Sequence, residues 1–196
     1  GHRHQRAGIA RRDDPRGLAV AHGVDRKLHA GVSALTQRDR WPIVAADGTI
    51  VYAEGGGSLI RVPPDGGNST TLLAPNTERG ERSFVGPAFL PGDHALIFSV
   101  ASTDVERFDE GRVDVLDSRT NERRTLIHGG MDARYSPSGH LVYAHHGSLH
   151  AVAFDLASLQ VTGEPVKVLD GVFMSVTTGQ AEFDISLDGT LVYAPG

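Results

Sequence analysis

Short apolar runs alternate with turn residues along most of the chain, and one nine-residue pattern returns at regular intervals. Ala45–Ala53 reads Ala-Ala-Asp-Gly-Thr-Ile-Val-Tyr-Ala, and Ser136–Ala144 and Ser186–Ala194 repeat its turn and its apolar run. Leu90–Phe98 is a looser copy in which the order of Asp and Gly is reversed. The aromatic residues of the four copies are 46, 45 and 50 residues apart: Tyr52, Phe98, Tyr143 and Tyr193. This spacing indicates a structural repeat.

Each copy predicts a tight turn followed by a buried strand. Gly accepts a positive φ, Asp or Ser can bond its own backbone, and a β-branched and aromatic run favours a strand. Further strands are predicted before the turn at 84–90, 132–136 and 182–186, after it at 58–63, 112–117 and 148–155, and last at 70–73, 123–127 and 166–169. Four antiparallel strands per repeat are typical of a β-propeller blade.

The repeat predicts an all-β fold, a partial β-propeller of about three and a half four-stranded antiparallel blades. Residues 41–173 hold three units, and 174–196 hold the first two strands of a fourth. A six-bladed ring needs roughly 250–300 residues at this period. A half ring has open blade faces, which neighbours should cover. We therefore expect a longer parent chain, or a homodimer that completes the ring.

The repeats resemble a known family. The copies of Ser-Pro-Asp-Gly-x-Leu-x-Tyr, with Gly-x-Leu-x-x-Val and Gly-Glu-Pro-x-x-Val after them, look like the TolB-like (WD-repeat-like) repeats of bacterial six-bladed propellers. Residues 147–155, with Thr162-Gly163-Glu164-Pro165-Val166 and Phe183-Asp184-Ile185-Ser186, are similar to the C-terminal propeller region of bacterial membrane-anchored serine/threonine protein kinases. The resemblance covers residues 41–196 and implies signalling, protein binding and an extracytoplasmic location, periplasmic or on the cell surface.

The charge divides the chain at residue 40. Residues 1–40 hold nine Lys or Arg against four Asp and no aromatic residue, whereas residues 41–196 hold ten Lys or Arg against twenty Asp or Glu. A basic arm can bind nucleic acid, but binders of single strands usually add stacking aromatics. We therefore predict a basic flanking segment at 1–40, and no nucleic-acid partner. No apolar run is long enough for a membrane helix, so no membrane segment is predicted.

Motifs of catalysis and nucleotide binding are missing from the sequence. It has no Gly-x-Ser-x-Gly elbow, no His-Arg-Asp or Asp-Phe-Gly kinase motif and no Gly-x-x-x-x-Gly-Lys-Ser/Thr loop. Gly55-Gly56-Gly57 lies between two predicted strands and opens no helix, so we interpret it as a hairpin turn. From these absences we expect a non-catalytic module, with no catalytic residue and no cofactor.

Four histidines, His140, His145, His146 and His150, lie within eleven residues. Alternate residues of a strand share a face, so 140, 146 and 150 have the parity that a zinc site needs. The stretch contains two strands joined by a turn, and no carboxylate or cysteine completes the set. We therefore predict surface histidines at a hairpin and no metal site.

The candidate binding site comes from aligning the turns. The alignment places Arg134 and Asp184 at the same position of consecutive innermost strands, and places Asp132 and Glu182 together in the same way. Innermost strands line the central channel, where propellers often bind ligands. One interpretation is a polar channel rim that offers these four residues to a protein or small ligand. The other is an ordinary ion pair between blades, which contributes little if exposed.

Three functions remain open. The main expectation is a module for protein or ligand binding, such as the sensor region of a signalling kinase. The alternative is a propeller enzyme of lactonase or lyase type, with a channel metal held by Asp, Glu, Asn or His. The third is a nucleic-acid binder led by the basic arm, which steep salt dependence of binding would reveal.

Overall fold

A computed structural model describes residues 40–55, 57–103, 111–175 and 178–196. The predicted basic flanking segment lies outside these residues, except for Arg40, where the first strand begins. In the described residues the strands are β1 (Arg40–Val44), β2 (Ile50–Ala53), β3 (Leu59–Val62), β4 (Thr70–Leu73), β5 (Glu81–Phe89), β6 (Ala95–Ser102), β7 (Arg112–Asp117), β8 (Glu122–His128), β9 (Met131–Ser136), β10 (His140–His145), β11 (Ser148–Asp155), β12 (Gln160–Val161), β13 (Val166–Asp170), β14 (Phe183–Ile185) and β15 (Leu191–Tyr193).

The strands form consecutive antiparallel sheets, which we call blades 1 to 4. Blade 1 has the order β1-β2-β3-β4 and blade 2 the order β5-β6-β7-β8. Blade 3 runs β9-β10-β11-β13, with the short β12 also pairing with β11, and blade 4 contains β14 and β15. The first strands of successive blades contact one another, from β1 to β5, β9 and β14. The predicted all-β fold, a partial β-propeller, is therefore confirmed.

The repeated turn forms as its sequence predicts. Gly48, Gly139 and Gly189 have φ of 87°, 80° and 87°, and each N–H donates to the carbonyl three residues earlier. In the looser copy, Gly92 comes one position earlier and Asp93, at φ 55°, makes the equivalent bond to the carbonyl of Leu90. Reversing Asp and Gly therefore keeps the turn, because Asp tolerates the left-handed region better than most residues.

Apolar side chains from both faces of the sheets form the core between blades. Leu59, Phe84 and Phe98 are among those buried between blades 1 and 2, and Ile97, Leu141 and Val152 belong to the cluster between blades 2 and 3. A smaller cluster joins blades 3 and 4. Because side chains alternate between the two faces of a strand, each strand contributes apolar side chains to two neighbouring interfaces, as a strand within a stack of sheets requires.

The predicted strand bounds agree closely in the third and fourth strands of the blades. β4, β7 and β11 have the predicted residues, whereas β14 is shorter than the predicted 182–186. β14 ends at Ile185, and the next residue, Ser186, belongs to the turn, because its N–H donates to the carbonyl of Thr190 at 3.0 Å. Of the predicted hairpin turn at Gly55-Gly56-Gly57, Gly56 lies outside the described residues, and Gly57 N–H donates to the carbonyl of Glu54 between β2 and β3, as such a turn requires.

Candidate functional site

The four candidate residues line one cavity of about 620 Å³, between the inner strands of blades 3 and 4. β9 supplies Asp132 and Arg134, and β14 and the residue before it supply Asp184 and Glu182. The other lining residues combine hydroxyl and amide groups with apolar ones: Ser175, Thr178, Gln180, Ala181, Phe183, Val192, Tyr193 and Ala194. The structure therefore brings together the residues that the turn alignment predicted, and it adds an aromatic and hydroxyl wall.

Asp132 is the buried member of this set, with 2% of its surface exposed. Its backbone N–H donates to Ser99 Oγ of blade 2 at 2.6 Å, and its Oδ2 accepts from the N–H of Ala181 at 3.0 Å. Asp132 adopts φ 55°, which Asp tolerates better than most residues. Burial raises the pKa of Asp132 above its ordinary value, because an ionised carboxylate loses its solvation there.

Close approach to Gly86 of blade 2 allows this placement. A Cβ built on Gly86 would lie 2.7 Å from Asp132 Oδ1, so a larger residue would have to displace the carboxylate. Gly86 lies within β5 and has φ 59°. A glycine inside a strand often marks such an approach, and this is the signal by which the sequence could have shown the contact.

Arg134 is the cation of the cavity. Its Nη1 lies 2.9 Å from Asp132 Oδ1, and its Nε lies 3.9 Å from Asp184 Oδ1. The same Nη1 also donates a hydrogen bond to the carbonyl of Ala133 at 3.0 Å. The guanidinium carbon also lies 5.9 Å from the centre of the Phe183 ring. The positive charge of Arg134 therefore lies between the carboxylates of Asp132 and Asp184.

The two acidic residues from blade 4 differ from Asp132 in exposure. The Asp184 side chain is 75% exposed, and Glu182 is also exposed. The alignment of Asp132 with Glu182 does not produce a direct pair. The structure instead places the backbone of Ala181 against the Asp132 carboxylate. With three carboxylates and one guanidinium, the cavity suits a neutral or cationic ligand better than an anion.

A second charged cluster lies on blade 2 and is closed by its own partners. Arg112 and Arg123 each lie within 3.1 Å of both Glu81 and Asp114, and the two carboxylate side chains are 1% and 3% exposed. The guanidinium of Arg123 also lies 4.8 Å from the centre of the Phe84 ring. The opposite charges of this cluster pair with one another, so the cluster offers little to a ligand.

The histidines are divided between two places. His145 and His150 stack with ring centres 5.6 Å apart, and His146 contacts His145 edge-on, whereas His140 bonds Ser138 at the opposite end of β10. In the described ranges, 40–55, 57–103, 111–175 and 178–196, no three His, Asp or Glu side chains lie together as a metal ion would need. The described residues therefore show no ligand set for the channel metal of the alternative enzyme hypothesis. The described part of the chain also has no helix long and apolar enough to cross a membrane.

Comparison with solved structures shows the β-propeller fold. A structure provisionally named a gluconolactonase matches with a TM-score of 0.57 at 14% identity, covering 81% of this chain and 57% of its own. The Dos1 propeller matches with a TM-score of 0.49 at 16% identity over 82% and 43% of the two chains, and a puromycin-hydrolysing peptidase from Mycobacterium tuberculosis with 0.44 at 18% over 65% and 23%. This chain thus spans less than two thirds of each of these proteins.

No protein-family model and no curated protein matches the sequence. The resemblance to TolB-like repeats and to kinase-associated propellers therefore stays a prediction. The expectation that the chain is not an enzyme is wrong as a deduction from missing motifs. The fold that it shares occurs in a protein provisionally named a gluconolactonase, so the absence of kinase and serine-hydrolase motifs does not exclude catalysis.

Proposed function

We propose that the cavity between blades 3 and 4 binds a small neutral carbonyl compound and hydrolyses it, with a lactone as the substrate class. The observation that supports this proposal is the buried Asp132 carboxyl, with its raised pKa, 2.9 Å from Arg134 at the wall of the cavity. A carboxylate whose pKa is raised is a stronger base than an ordinary carboxylate, which suits proton transfer from water. A guanidinium beside it suits the negative charge that develops on a carbonyl oxygen.

The proposed reaction uses one water molecule. The Asp132 carboxylate accepts a proton from water as the water oxygen attacks the carbonyl carbon of the lactone. Arg134 stabilises the resulting oxyanion. When the oxyanion collapses, the ring C–O bond breaks and the leaving alkoxide takes the proton from Asp132. The product is the open hydroxy acid.

The charge of the cavity favours the entry of a neutral substrate and the release of an anionic product. Glu182 and Asp184 are exposed at the cavity, so they disfavour a second negative charge nearby. A lactone enters without charge, whereas the hydroxy acid is ionised at neutral pH and is repelled. The hydroxyl and amide groups of Ser175, Thr178 and Gln180 supply partners for a polyhydroxylated ring.

The experiment is hydrolysis of δ-gluconolactone by the full chain, measured as proton release after subtraction of the spontaneous rate. Arg134→Ala should lower kcat/KM by about 10²-fold, as removal of an oxyanion-binding group does. Lys167→Ala is the matched control, because Lys167 is a cation outside the cavity that pairs with Asp170. Hydrolysis no faster than the spontaneous rate, or equal loss in the two variants, contradicts the proposal.

A further inference from the structure

One position of the repeat holds an arginine in blade 1, whereas blades 2 and 3 hold apolar residues there. Arg61 of β3 lies opposite Val51, and Val115 and Ala151 take the same place in blades 2 and 3. Directly opposed residues of an antiparallel pair share a face, and Val51 belongs to the cluster between blades 1 and 2. Arg61 therefore lies on the face of blade 1 that packs against blade 2, at a position where the other two blades are apolar.

A second departure from the repeat is the reversed turn of blade 2, Gly92-Asp93. In blade 1 the aspartate of the turn bonds within the turn, because Asp47 Oδ1 accepts from the N–H of Thr49 at 2.8 Å. Asp93 comes one position later, and its Oδ2 instead accepts from the N–H of Ala46 at 2.6 Å, across 47 residues of sequence. The reversed order therefore directs a carboxylate of blade 2 towards blade 1.

Both departures line one cavity of about 380 Å³ between blades 1 and 2. Its volume is at the lower end of the range of small-molecule sites. Val51 and Leu96, each 2% exposed, contribute apolar lining, whereas Arg61 and Asp93 contribute opposite charges from the two blades. The combination of apolar surface with a few charged groups is typical of a ligand site.

Arg61 and Asp93 keep bonding capacity for a ligand, whereas Asp47 does not. The two oxygens of Asp47 accept from the N–H and the hydroxyl of Thr49 at 2.8 Å and 3.0 Å. Within residues 40–55, 57–103, 111–175 and 178–196, the Asp93 carboxylate accepts a bond through Oδ2 alone, and the Arg61 guanidinium forms no ion pair or hydrogen bond. The cavity thus offers a cation and an anion that do not pair with each other.

The charges near Arg61 disfavour a simple anion. Hydrogen bonds from Thr49 lower the pKa of Asp47, and the charge of Arg61 acts in the same direction although burial opposes both. At neutral pH, Asp47 and Asp93 therefore carry two negative charges against the one positive charge of Arg61. A carboxylate that binds Arg61 needs a positive group of its own to offset these charges.

We propose that the cavity between blades 1 and 2 binds a zwitterionic α-amino acid with an aliphatic side chain. The ligand's carboxylate accepts hydrogen bonds from the guanidinium of Arg61, and its ammonium group donates to Asp93 Oδ1. Its side chain lies against Val51 and Leu96, where it is removed from water. The proposal is independent of hydrolysis in the other cavity, because the two cavities share no lining residue.

The test is titration calorimetry of the full chain with L-leucine and three analogues. Leucinamide lacks the carboxylate, N-acetyl-L-leucine lacks the ammonium group, and glycine lacks the aliphatic side chain. We expect saturable binding of one leucine and binding of each analogue weaker by about tenfold or more, because each analogue leaves one part of the site without its partner. Failure of leucine to bind, or an analogue that binds as tightly as leucine, overturns the proposal.

Two variants of the chain assign the two charged contacts. Arg61→Met should weaken leucine binding by about tenfold or more and should not weaken leucinamide binding, because leucinamide has no carboxylate for Arg61. Asp93→Asn should weaken leucine binding to a similar extent and should not weaken N-acetyl-L-leucine binding. The asparagine keeps an oxygen for the N–H of Ala46, so the contact between the blades is retained.

Lys167→Met is the matched control, because Lys167 is a cation outside the cavity that pairs with Asp170. It should bind leucine as the unmodified chain does. Circular dichroism and urea unfolding of the three variants establish that they fold. Leucine binding that Arg61→Met leaves intact, or that Lys167→Met weakens equally, overturns the proposal.

Discussion

Asp132 and Ala181 join blades 3 and 4 across 49 residues of sequence, because the N–H of Ala181 donates to Asp132 Oδ2 at 3.0 Å. The backbone N–H of the same aspartate donates to Ser99 of blade 2. One residue thus connects three blades and also contributes a buried carboxylate to the cavity. Different substitutions of Asp132 can therefore separate its structural role between the blades from its role in the cavity.

Asp132→Ala should destabilise the fold by about 1–3 kcal/mol, because the Ala181 N–H loses its buried acceptor and Arg134 loses its partner. Asp132→Asn should cost less, since the amide keeps an oxygen for Ala181 and removes a buried charge. Urea unfolding of the two variants measures the difference. Equal destabilisation would show that the hydrogen bond to Ala181 contributes nothing.

Gly86→Ala should destabilise the chain by more than the ~1–2 kcal/mol that a left-handed backbone costs an alanine. The added Cβ would lie 2.7 Å from Asp132 Oδ1. Gly139→Ala is the control, because Gly139 also has a positive φ, of 80°, and nothing lies within 4 Å of its built Cβ. The difference between the unfolding free energies of the two variants measures the cost of the contact with Asp132. A loss no greater at Gly86 than at Gly139 would refute the close approach.

Arg123→Met should lower the free energy of unfolding, because Glu81 and Asp114 each lose a cation while they stay buried. Removing one partner of a buried ion pair costs ~3–5 kcal/mol, and we expect the low end because Arg112 still contacts both carboxylates. Arg119→Met is the exposed control and should change stability less, since the Arg119 side chain is 59% exposed where it pairs with Asp117. Similar losses in the two variants would contradict a buried network.

The free energy of unfolding should fall as the pH drops below about 6.5, the ordinary pKa of histidine. Burial, with the nearby charges of His145 and Lys167, lowers the pKa of His150, although Asp170 acts in the opposite direction. The unfolded chain then binds this proton more readily than the folded one, so stability is lost between pH 6.5 and the lower pKa of the folded state. His150→Gln should make the slope of unfolding free energy against pH shallower in this window. An unchanged slope would exclude His150 as a source of it.

Most of the strands follow from local sequence, and most of the contacts that build the cavity do not. The turn at Asp47-Gly48 and the strand Ser148–Asp155 are set by residue types that favour them locally, so the repeat predicted them. The alignment of the turns placed Arg134 and Asp184 at equivalent positions of neighbouring inner strands, and the two residues lie close together because such positions are adjacent in the structure. It could not show the hydrogen bond from Ala181 to Asp132, which depends on the path of the chain between blades.

Two further features lay beyond the repeat pattern. The short β12 pairs with the end of β11 after Leu159, which has φ 55° although no glycine marks the position. The exposure of Leu191 and Tyr193 also has no signal in their own sequence, because the same residue types are buried in blades 1 and 3. Burial depends on which strands lie alongside, and that is a property of the whole sheet.

Ligand binding in the cavity between blades 3 and 4 is tested directly by titration calorimetry with glucono-δ-lactam, a neutral and hydrolysis-resistant analogue of the proposed lactone substrate. We expect saturable binding of one molecule to the full chain, loss of that binding in Arg134→Ala and retention of it in Lys167→Ala. Absence of binding to the unmodified chain, or binding that Arg134→Ala leaves intact, would contradict the assignment of the cavity between blades 3 and 4 as the ligand site.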